Sequence, residues 1–138
     1  MCYFLRIELL PHEAHRLAFD LTENRTLDLI YDAARKCRLD IRDISGFGGL
    51  SGGTLELAEQ NQPCSCGIVS EHQVDTRILD FAMTLAPSIR LAGVRIVWLW
   101  SDSAPQAERT MTFEEFEERN STGQLVDNTP YRLCFKIP

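Results

Sequence analysis

The side chains best suited to chemistry in this sequence are Cys64 and Cys66, with one residue between them in Pro63-Cys64-Ser65-Cys66-Gly67 and His72 shortly beyond. On an extended strand, side chains two residues apart point to the same face, so two thiolates at this spacing can share a soft metal ion. No cofactor is the leading expectation, and zinc is the one ion the pattern makes possible. A closed zinc site takes four ligands, and its paired cysteines usually have two or more residues between them. His72 is the candidate third ligand. A fourth would have to come from Cys2, Cys37, Cys134, His12 or His15 if the fold brings one close. The same thiols could serve as a redox pair, with a helix beginning near Ser70 lowering the pKa of one of them. Without such partners they would pack as small apolar side chains in a hairpin.

Other motif-like stretches are weaker. Gly49-Leu50-Ser51-Gly52-Gly53 has the letters of a nucleophile elbow, but the following residues read as strand where the elbow needs a helix. Gly46-Phe47-Gly48 lacks the continuation of a phosphate-binding loop. His12-Glu13-Ala14-His15 is one residue short of the zinc-protease spacing, so its histidines would not share a helical face. Glu114, Glu115, Glu117 and Glu118, set around Phe113 and Phe116, form the densest charge on the chain. They suit a helix N-terminus and would be solvated there, or they would form a docking surface for a basic partner.

The balance of 20 acidic against 14 basic residues, a net charge of −6 in 138 residues, disfavours nucleic acid, whose phosphates call for a basic surface. Five cysteines, an odd number scattered along the chain, do not make a disulfide framework. The opening Met1-Cys2-Tyr3-Phe4-Leu5-Arg6-Ile7-Glu8 lacks the basic region of a secretory signal, and the longest apolar stretch, Val94 to Trp100, is too short to span a bilayer. A cytoplasmic protein with reduced thiols and no membrane partner is expected.

These side chains must be positioned by the elements around them. Alternation predicts a strand at Tyr3 to Leu9 and a second at His15 to Leu21. Leu27, Ile30, Ala34 and Cys37 recur at helical steps, with Asp28 early and Arg35, Lys36 and Arg38 late, as the helix dipole favours. Strands follow at Leu39 to Ile44, Thr54 to Glu59 and Cys64 to Val69, the last two as a hairpin, with a glycine-rich loop over 46–53. Ser70-Glu71-His72-Gln73 has capping-box spacing and predicts a helix carrying Val74, Ile78, Phe81, Ala82 and Leu85, stopped at Pro87. Val94 to Trp100 reads as a central strand buried on both faces. After a polar loop, Thr112-Phe113-Glu114-Glu115 starts a short helix, and Tyr131 to Ile137 alternates as a closing strand.

The expected fold is α+β. It is a single domain over 1–138 in the order ββαβββαβαβ, with a mixed, largely antiparallel sheet, two longer helices on one face and one short helix. By elimination, the leading functional expectation is an acidic protein-binding module, such as an immunity or inhibitor protein neutralising a basic partner. A metal- or thiol-dependent regulator using Cys64 and Cys66 is the alternative. A small enzyme comes last, for want of an acid, base or nucleophile constellation.

Overall fold

The structure, a computed structural model, describes residues 2–12, 25–45, 53–101 and 103–135. The expected strand at His15 to Leu21 lies outside the described residues, as do Glu13 to His15 of the histidine motif, and residues 46–52 with Ser51. Strand β1 (Tyr3–Pro11) keeps the alternation of its sequence, with Leu5, Ile7 and Leu9 buried and Arg6 exposed on the opposite face. Helix α1 (Arg25–Lys36) buries Ile30, Ala33 and Ala34 at helical spacing, and β2 (Leu39–Ser45) follows it. Next come β3 (Thr54–Glu59), α2 (Thr76–Ser88) and β4 (Leu91–Trp100). The described chain closes with β5 (Arg109–Thr112), α3 (Phe113–Ser121) and β6 (Tyr131–Cys134).

The six strands form one sheet in the order β2-β3-β1-β4-β6-β5. Every neighbouring pair is antiparallel except β5 and β6, which are parallel because α3 carries the chain back between them. All three helices supply side chains to one core against one face of the sheet: Ile30 from α1, Phe81 from α2 and Phe116 from α3 meet Leu5, Ile96 and Tyr131. The α+β class and the placement of the helices are as expected.

Five local expectations are corrected. Residues Cys64 to Val69 are not a strand but a succession of turns, with a single isolated bridge from Val69 to Val74. The helix does not begin at Ser70. The Ser70 N–H donates to the Gln73 carbonyl at 2.8 Å in a tight turn, and α2 starts at Thr76. Asp75 caps it, accepting from the Arg77 N–H at 2.9 Å, while the buried Asn120 side chain takes both the Val74 N–H and its carbonyl from the side, which keeps Val74 out of a helix. Pro87 sits inside the last turn of α2, which runs on to Ser88. Strand β4 is fully buried on one face and half-buried on the other: Val94, Ile96 and Trp98 are fully buried, whereas Arg95, Val97 and Leu99 are half-buried on the face away from the helices. Strand β5 falls in what reads as polar loop, because only Met111 of its four residues turns inward.

The capping pattern at Thr112 holds. The Thr112 hydroxyl accepts from the Glu115 N–H at 3.1 Å, and Phe113 and Phe116 pack inward. No helix among the described residues is long and apolar enough to cross a membrane.

Candidate metal centre

The cysteine turn takes its position from β1. Strand β3 pairs with β1 only from Leu5 to Glu8, so the backbone at Tyr3 would have no partner on that side. The turn fills the gap. Ser65 donates its N–H to the Tyr3 carbonyl at 3.0 Å, and its hydroxyl accepts the Leu5 N–H at 2.8 Å while donating to the Leu57 carbonyl. Ser65 is only 1% exposed, and its buried hydroxyl bonds two backbone groups at the end of the β1–β3 ladder. The Ile68 and Val69 N–H groups close the turn on the Ser65 carbonyl, and the Asp75 N–H donates to Ile68, tying the turn to the start of α2.

With Ser65 turned inward, the cysteines on either side of it face outward, toward the residue just before β1. The Cys2, Cys64 and Cys66 sulfurs all lie within 4.8 Å of one another. Cys2 is itself clamped: its N–H donates to the Ser101 hydroxyl at 2.9 Å, and its carbonyl accepts from the Ser101 hydroxyl and N–H at 2.8 and 3.0 Å. The Tyr3 N–H points at the Cys66 sulfur at 3.2 Å, the kind of donor that steadies sulfur-borne negative charge. In a tetrahedral site with metal–sulfur bonds of about 2.3 Å, sulfurs lie roughly 3.8 Å apart, so a small contraction of this group would seat an ion.

Cys64 and Cys2 are shifted in opposite directions. Hydrogen bonds from the backbone and then the thiol of Cys66 hold Cys64 below the usual thiol range, against an opposing contribution from burial. Cys2 is pushed up, chiefly by its hydrogen bond with Cys64 and then by burial. Of these two, Cys64 is the readier to give up its proton. Cys66 is exposed and the other two are half-buried, so the group opens to solvent.

Of the residues expected to ligate, Cys64 and Cys66 come together, and Cys2 is the candidate that joins them. His72 does not belong to the group: its Nδ1 lies 2.8 Å from the Leu125 carbonyl and its Nε2 3.8 Å from a Glu71 oxygen. Cys37 stands at the end of α1 and Cys134 on β6, neither of them in the group. Glu114, Glu115, Glu117 and Glu118 are all exposed on α3. The second tryptophan of β4, Trp100, packs edge-on against Tyr3 with ring centres 4.7 Å apart, while the buried Trp98 donates its Nε1–H to the Ser70 carbonyl at 2.7 Å. Trp98 thus anchors the loop between the cysteine turn and α2.

Fold and site together define an α+β protein with a three-thiol group at its surface, assembled where a turn completes the edge of β1. Compared with protein-family models, curated proteins and solved structures, the chain finds no match.

Proposed function

We propose that the protein is a metal-dependent regulator whose sensing element is the Cys2, Cys64 and Cys66 group. The observation that carries this reading is the convergence of the three sulfurs within 4.8 Å, from positions some sixty residues apart in the chain. An ion held there would cross-link the start of β1 to the turn leading into α2. Binding would then stabilise the fold by mass action, by about 2.7 kcal/mol when free metal is a hundred times its dissociation constant. Such coupling converts metal supply into the stability and geometry of the turn, the loop behind it and the α2 N-terminus.

Elemental analysis of protein purified under reducing, chelator-free conditions tests the reading. One soft metal ion per chain is expected, and the double variant Cys64→Ser, Cys66→Ser should contain almost none. Equal metal content in the two proteins would overturn it.

A second reading has its own support in the four exposed glutamates of α3, which make no ion pair among the described residues. A basic protein partner, as for an immunity or inhibitor protein, would find complementary charge there.

A further inference from the structure

The donor set of the cysteine group is all sulfur and numbers three among the described residues. Polar side chains bonded around the cysteine group are committed elsewhere. The Ser65 hydroxyl is buried between Leu5 and Leu57. The Ser101 hydroxyl is spent on both backbone groups of Cys2. The Tyr3 hydroxyl donates to the Asp127 carboxylate at 2.7 Å, on the far side of its ring. A hydroxyl engaged in this way could turn toward an ion only by breaking bonds that hold the site together.

This donor chemistry discriminates between ions. Zn(II) is borderline-soft and in structural sites takes four ligands, commonly including imidazole. Cu(I) is softer and monovalent, is drawn to thiolates above other protein ligands, and is satisfied by two or three of them. We infer that the ion held by Cys2, Cys64 and Cys66 is Cu(I) in a three-coordinate, all-sulfur site. This inference rests on the metal reading of the same group and specifies its ion. Exposure of Cys66 suits it further, because an ion ligated at the surface can pass to or from an incoming thiolate by stepwise ligand exchange.

The test is an anaerobic titration of the reduced full chain with Cu(I) against a chromogenic Cu(I) chelator. A parallel titration uses Zn(II) against a chromogenic Zn(II) chelator, and the Cu(I)-loaded protein is examined by X-ray absorption. One Cu(I) per chain is expected, surrounded by three sulfurs and no nitrogen or oxygen, with Zn(II) losing the competition. In Cys2→Ser the sulfur count should fall to two, and the Cu(I) dissociation constant should rise by more than the roughly 10- to 100-fold typical of losing an outer-shell partner. Cys134→Ser should match the parent chain, and circular dichroism of each variant separates lost ligation from lost folding. Tight Zn(II) binding with weak Cu(I) binding would overturn the inference and leave the metal reading standing. Binding of neither ion would overturn both.

Discussion

The cysteine turn and the acidic helix α3 both carry chemically conspicuous side chains, and they are built in opposite ways. Helix α3 is specified locally. Its cap, Thr112, bonds three residues ahead, its two phenylalanines sit three apart on the core side, and its glutamates project to solvent near the positive end of the helix dipole. The cysteine turn has no repeating hydrogen-bond pattern of its own. It exists because β3 stops pairing with β1 at Leu5, because Ser65 fills the vacated position beside Tyr3, and because Ser101, just past β4, clamps Cys2. The lesson is that the region with the weaker local signal has the better-defined chemical geometry. Its backbone is held from several directions, whereas side chains on a solvated helix face are held from one.

The sharpest way to break this contrast is at Ser65. Replacing it with alanine removes the buried hydroxyl that bonds the Leu5 N–H and the Leu57 carbonyl, at about 1–3 kcal/mol for each group left unsatisfied. Chemical denaturation of Ser65→Ala should show a loss of about 2–4 kcal/mol, and metal affinity should fall although every cysteine is retained. Unchanged stability would mean that the turn does not depend on this hydroxyl.

Asp75 provides a smaller test, at the joint between the turn and α2. Burial raises the pKa of its carboxyl, but hydrogen bonds from the Arg77 side chain and N–H, together with the guanidinium charge, more than reverse this and hold it below the usual range. A carboxylate depressed in this way contributes stability that is complete above its unfolded pKa near 3.9 and is lost as pH falls through its lower folded value. Asp75→Ala should therefore cost about 1 kcal/mol at pH 7, and the gap between parent and variant should close below about pH 4. A gap independent of pH would show that the cap works through shape alone.

The smallest stability effect belongs to α3. Changing Glu114, Glu115, Glu117 and Glu118 to glutamine should alter stability by no more than about 0.5 kcal/mol for each residue, as expected of exposed charges near a helix start. If the docking reading holds, the same variant should lose salt-sensitive attachment to a basic protein that the parent chain retains. Attachment that survives the change would remove that reading. A large loss of stability would erase the contrast with the cysteine turn.

Much of the fold was legible in the sequence because its signals are local and periodic. The alternation of β1, the three- and four-residue steps of α1, the apolar run of β4 and the cap of α3 each report which side of a backbone meets the core. The errors fall where tertiary contacts outvoted local preference. Ser70 and Gln73 have the letters of a capping box, yet Asn120, 46 residues ahead of Val74, holds the Val74 backbone out of a helix, and Asp75 takes over as the cap. Strand β5 offers too few residues for a period to be read.

The candidate site divides in the same way. From the sequence alone, Cys64 and Cys66 formed a pair able to share an ion, and His72, Cys2, Cys37, Cys134, His12 and His15 were all possible partners, because spacing along a chain says nothing about which distant segment folds beside it. Tertiary structure chose Cys2, left His72 hydrogen-bonded to Leu125, and made a turn of what read as strand. The physical reason is the end of β1. Its unpaired backbone needed hydrogen bonds, Ser65 supplied them by turning inward, and the flanking cysteines were thereby turned outward onto the residue that precedes the strand.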